Sequence, residues 1–104
     1  MYLSESLEKK YTKESLPARD AQRLAEFIAF GPIVFQVSRL MVKWGILEML
    51  RDESLTIEEV AHKADISVYA AKCLLEASLT IGTVLVDKTT NRFTISKTGW
   101  FLVN

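Results

Sequence analysis

At 104 residues the chain has the length of one domain, enough for a single core but too little to hide all of its apolar surface. Thirteen basic and thirteen acidic residues cancel, and they nearly cancel along every part of the sequence, so no block forms the electrostatic footprint of a nucleic-acid binder. An apolar share of 49% is at the high end for a soluble domain and points to burial of the surplus in an oligomer, while the single cysteine, Cys73, excludes an internal disulfide.

The opening stretch "MYLSESLEKKY" lacks the apolar run that follows the basic segment of a signal peptide, so the expected compartment is cytoplasmic. "SESLEKKYTKESLP" predicts a polar helical arm over residues 1–17, with Ser4 as N-cap and Pro17 ending it or starting the next element. "ARDAQRLAEFIAF" places Ala21, Leu24, Ala25, Ile28 and Ala29 at helical spacing, and Gly31-Pro32 predicts a break after Phe30. The greasy stretch that follows is expected to be buried in a soluble protein. Its longest run without a strongly polar residue, residues 27–35, falls far short of the roughly 20 needed for a membrane span.

"IVFQVSRLMVKW" carries the most information about assembly. At about 100° per residue its polar positions Gln36, Arg39 and Lys43 fall in one stripe roughly 60° wide, and an apolar arc of roughly 220° takes up most of the rest. Such a helix is expected to be covered on nearly every side. Gly45 suits a helix end, and "ILEMLRDE" predicts a short helix burying Ile46, Leu47 and Leu50.

Thr56 and Glu59 form a capping box at the start of "TIEEVAHKA". "DIS" is a turn with Ile66 inward and Ser67 as the next N-cap. The following helix has a buried face of Ala71, Leu74, Leu75, Ser78 and Leu79 and ends at Gly82. "TVLVDKTTNRFTIS" predicts a β-hairpin, and "KTGWFLVN" opens a last helix whose apolar end at Asn104 implies a continuation. The predicted class is mainly α: a winged helix-turn-helix with extra N-terminal helices and a two-stranded wing.

The second helix of such a motif reads DNA when its outward residues are basic or amide-bearing. Here they are Ser67, Val68, Tyr69, Lys72, Cys73 and Glu76, and the wing sets Lys88 and Arg92 against Asp87. Tyr69, Lys72, Lys88 and Arg92 would carry DNA contacts in a transcriptional regulator, which stays the alternative to a scaffold used for packing. Four glycines admit neither a dinucleotide fingerprint nor a phosphate loop. A lone His62 and a lone Cys73 suit neither a zinc site nor a nucleophile pair, so no catalytic, cofactor-binding or metal-ligating residue is expected in these residues. Trp44, Trp100 and Phe101 are expected to anchor packing or an interface, with a ligand contact, above all at Trp44, as the alternative.

Four pieces, "LMVKWGILEML", "LTIEEVAHKADIS", "AAKCLLEASLTIGTV" and "RFTISKTGWFL", together resemble the N-terminal dimerisation domain of the S-adenosylmethionine-dependent O-methyltransferases. The resemblance runs from about Ala25 to Asn104. It rests on Gly45-Ile46, the Thr56–Ala61 helix, the Leu74-Leu75 pair, Gly82 and the Ser96–Gly99 step. It implies a winged-helix dimerisation domain over 18–104 that forms an intertwined homodimer. That domain would help roof the pocket for a small-molecule methyl acceptor. It also implies that S-adenosylmethionine and the catalytic groups belong to a following domain. The interface or lid residues are then expected to be Phe27, Phe30, Ile33, Val34, Val37, Met41 and Trp44, with neither nucleic acid nor membrane as partner.

Overall fold

The computed structural model describes residues 4–5 and 13–104. The arm predicted from Ser4 falls largely outside those residues. Among them are five helices, α1 (Ala18–Lys43), α2 (Ile46–Asp52), α3 (Ile57–Ala64), α4 (Val68–Ile81) and α5 (Lys97–Val103), and two strands, β1 (Val84–Asp87) and β2 (Arg92–Ile95). The fold is mainly helical and winged-helix-like, as the sequence pattern predicts. Two compact units are distinguished, one ending at Gly31 and the other Pro32–Asn104.

The first unit contains the start of α1. Pro17 begins the helix rather than ending the arm: its carbonyl accepts the Ala21 amide at 2.9 Å, and Asp20 adds an acidic group to the positive end of the helix. Every described residue of this unit is exposed except the half-buried Ala21 and Gly31.

The break expected after Phe30 is absent, because α1 runs on through Pro32. Proline removes one amide, which here would have donated to the Ile28 carbonyl, but its fixed φ is helical. The usual clash between the proline ring and the preceding side chain does not arise, since the preceding residue is Gly31. The boundary between the two units falls at this step.

In the second unit α1 ends at Gly45, whose φ of 72° is the left-handed conformation that glycine adopts without strain. The turn directs α2 inward, so Ile46, Leu47 and Leu50 are buried together with Met41 from α1. Thr56 and Glu59 close the predicted capping box. The Glu59 amide donates to Thr56 Oγ1 at 3.2 Å, and the Thr56 amide donates to Glu59 Oε1 at 3.0 Å. Ser67 Oγ accepts the Ala70 amide at 3.0 Å to start α4, which buries Ala71, Leu74, Leu75 and Ser78 and leaves Leu79 half-buried. Leu55, Val60, Ala61, Val84 and Phe93 complete the core.

The wing pairs Val84 with Ile95, Leu85 with Thr94, Val86 with Phe93 and Asp87 with Arg92, antiparallel. Strand alternation turns Val84 and Phe93 into the core and Leu85 and Thr94 to solvent. Leu55 forms an additional bridge to Phe93, with amide-to-carbonyl bonds of 3.1 and 2.7 Å, which ties the segment before α3 to the wing. The last helix is seated by a close approach. Ser96 Oγ accepts the Gly99 amide at 3.1 Å and donates to the Gly82 carbonyl at 2.6 Å, and a Cβ on Gly99 would stand 2.2 Å from the Thr83 carbonyl oxygen.

Candidate interaction surfaces

Two surfaces fall within the second unit's reach of function: the outer face of α4 with the wing, and the apolar surface of α1 and α5.

On α4 the N-cap at Ser67 projects Val68 and Tyr69 into solvent, with Tyr69 76% exposed. Lys72 lies 4.0 Å from Glu76, one turn along the same helix, so its charge is locally offset. Arg92 is partly exposed, with its guanidinium engaged by groups of the chain itself. Its Nε donates to Ser54 Oγ at 3.2 Å, and its Nη2 donates to the Ser54 carbonyl at 3.0 Å and lies 3.3 Å from Glu59 Oε1. This fork fastens β2 to the segment before α3. The amide of Thr56 is the main cause that holds the Glu59 carboxyl below its ordinary range; the Thr56 hydroxyl, Arg92 and Lys63 act in the same direction, against a smaller desolvation effect. Lys63 in turn pairs with Glu53. Of the four positions that would serve DNA, two lie on α4 and two on the wing, and only Lys88 is a cation without an ion-pair partner among the described residues. His62 and Cys73 are both exposed, and they do not come together with carboxylates in any metal-binding group among the described residues.

The apolar surface follows from α1. Burial of the whole helix, expected from its 220° arc, does not occur within one chain: only Met41 is fully buried. A domain this small supplies a core wall for the last turns of α1 and nothing for the rest. In the first unit Leu24, Phe27, Ile28 and Phe30 are 49, 60, 68 and 58% exposed. In the second unit Ile33 is exposed, Val34 and Val37 are half-buried, and Trp44 is 40% exposed. Met41 is a correction to the expected interface set. Its side chain is enclosed by the chain's own core and is not available to a partner, because the turn at Gly45 folds α2 against it.

Sequence reasoning missed a further group. Phe35 and Val42, on the face of α1 away from Met41, form an open groove of about 440 Å³ with Leu102 of α5, flanked by Ser38, Arg39 and Lys43. The signal was present in the helical angles, since Gln36, Arg39 and Lys43 separate Phe35 and Val42 from the inward residues on that side. The contribution of Leu102 was not readable, because it depends on where α5 packs. Trp100 and Phe101, both exposed, stack edge to face with ring centroids 5.5 Å apart. By length and composition alone, α1 is also long and apolar enough to cross a membrane, a test that the core helices of soluble proteins pass as well.

Among the described residues the structure combines a small helical fold and a two-stranded wing with a long helix, α1, that carries exposed apolar side chains. In comparison with known proteins, the profile of the Dimerisation2-like domain matches residues 22–93, and the chain belongs to that family. The match includes the exposed part of α1 from Gln22 onward, α2 to α4 and the start of the wing. Among solved structures, the chain is similar to human N-acetylserotonin methyltransferase in complex with SAM, with a TM-score of 0.63 at 20% identity. The similarity covers 82% of this chain and 25% of that one, so the chain spans about a quarter of the enzyme's length, and at this identity it establishes the fold. No curated protein matches the chain in sequence.

Proposed function

We infer that the chain is the dimerisation and substrate-lid domain of a SAM-dependent small-molecule methyltransferase, acting as a homodimer in the cytoplasm. The observation that carries this reading is α1. Leu24, Phe27, Ile28, Phe30 and Ile33 stand exposed on a helix whose family is defined by dimerisation. An isolated helical segment is marginal in water and gains its stability from packing, so an exposed run of this kind calls for a second copy to cover it. A two-fold arrangement would cover the same patch on both copies at once.

In this reading the 104 residues hold no catalytic group. S-adenosylmethionine and the groups that move the methyl belong to a separate domain of the full-length protein, and this domain shapes the entrance used by the acceptor. The similarity to a methyltransferase solved with SAM supports the parent activity. The regulator reading is weakened, because Arg92, one of its four residues, is held by Ser54 and Glu59.

The test is a flotation and sedimentation pair on the purified chain. A dimer in buffer that stays at the bottom of a vesicle gradient supports the proposal. A monomer that floats with the vesicles assigns α1 to a bilayer instead, and a monomer in both settings leaves the exposed helix without a dimeric role.

A further inference from the structure

We propose that the groove between α1 and α5 is a binding site for a small organic acid with an apolar ring or acyl body. The proposal rests on the geometry of the Pro32–Asn104 unit and stands apart from the methyltransferase reading.

Three observations combine. The floor is apolar, made by Phe35, Val42 and Leu102, and its volume of about 440 Å³ lies within the roughly 300–1,000 Å³ typical of small-molecule sites. The rim carries two cations one helical turn apart, Arg39 and Lys43, with the Ser38 hydroxyl beside them and no carboxylate in the lining. Neither cation has an ion-pair partner among the described residues. By contrast, Arg51, Lys63, Lys72 and Arg92 of the same unit each pair with an acid. Lys88 and Lys97 of this unit are likewise unpaired among the described residues, but Arg39 and Lys43 stand bare together, one turn apart on the rim of one apolar groove, and that combination is complementary to an anion with an apolar body. Arginine is suited to hold a carboxylate in a bidentate fork, and lysine adds a point charge one turn away. The ring or chain of the ligand would rest on Phe35, Val42 and Leu102, replacing water on three half-exposed or exposed side chains.

The probe is naphthoate, titrated into the isotopically labelled chain in its native oligomeric state and followed by NMR, with neutral naphthylmethanol and phosphatidylglycerol vesicles as parallel arms. Naphthoate should shift the signals of Phe35, Val42 and Leu102, and R39E/K43E should weaken it by at least about tenfold, as should replacement of the acid by the alcohol. Both substituted positions are exposed, so the fold should persist; Val42→Trp, which fills the groove without changing charge, should also abolish binding. Equal binding of acid and alcohol, shifts centred elsewhere, or no binding at millimolar naphthoate overturns the proposal. So does a groove that responds only on dilution to monomer, which makes a second copy its occupant, or only to vesicles, which makes it a lipid contact.

Discussion

Replacing Gly99 by alanine should unseat the last helix. The new Cβ would lie 2.2 Å from the Thr83 carbonyl oxygen and 2.9 Å from Ile95 Cγ1. The first contact is the decisive one, because a backbone oxygen cannot rotate away as a side chain can. Thr83 is 2% exposed, and its carbonyl already accepts the Ser96 amide at 3.0 Å. Relief therefore requires α5 to lift by about 1 Å. That movement strains the overpacked contact, at about 1–3 kcal/mol. It also weakens the Ser96 bonds to Thr83 and Gly82, at about 1 kcal/mol each. Alanine regains up to about 1 kcal/mol of helix propensity. The net expectation is a loss of about 2–5 kcal/mol, equivalent to a fall in Tm of at least roughly 10 °C for a domain of this size. Urea and thermal unfolding followed by circular dichroism, at one fixed protomer concentration, would measure it, with Lys97→Ala on the same helix as a control that changes little. A Gly99→Ala variant within about 0.5 kcal/mol of the parent would refute the packing of α5 described here.

Three further outcomes follow from the same structure. Met41→Ala removes a fully buried side chain and should cost about 2–5 kcal/mol of unfolding free energy, whereas Phe30→Ala should leave the fold intact and weaken association, a contrast read by denaturation beside sedimentation. The folded Glu59 carboxyl has a lowered pKa, so its contribution is fully present above the ordinary glutamate value of about 4.3 and is lost as pH falls through the folded value. Glu59→Gln should accordingly flatten the acid side of the stability profile below about pH 4.5, whereas Thr56→Ala, which keeps the backbone amide, should largely preserve that acid dependence while costing about 0.5–2 kcal/mol at neutral pH through loss of the cap. Arg92→Ala should lower stability by about 1 kcal/mol and leave any duplex binding unchanged, because its guanidinium is engaged with Ser54 and Glu59; a selective loss of DNA affinity would revive the regulator reading.

The features legible in the sequence are those set by local chemistry. The capping box at Thr56 and Glu59, the N-cap at Ser67 and the left-handed glycines Gly45 and Gly82 each depend on residues within a turn of one another, and each forms as predicted. The inward face of α4 is equally plain, because one periodicity decides it. The step at Gly31-Pro32 is misread locally, and the other errors arise where distant segments decide. Pro32 signals a break, yet the absence of a Cβ on Gly31 lets α1 continue. Met41 belongs to an arc that looks uniformly available, and only the return of α2 at Gly45 shows that it faces the chain's own core. Arg92 reads as a wing cation until Ser54, thirty-eight residues earlier, is placed beside it. The groove at Phe35, Val42 and Leu102 joins two helices from opposite ends of the second unit, and no local pattern announces it.

The central claim, that the exposed apolar run of α1 is covered by a second copy, is tested most directly by sedimentation equilibrium of the chain beside its Phe27→Asp/Phe30→Asp variant. The account predicts a dimer for the parent and a folded monomer for the variant, with the far-ultraviolet spectrum of the Pro32–Asn104 fold retained. A parent that remains monomeric at high micromolar concentration, or a variant that dimerises as tightly as the parent, would contradict it.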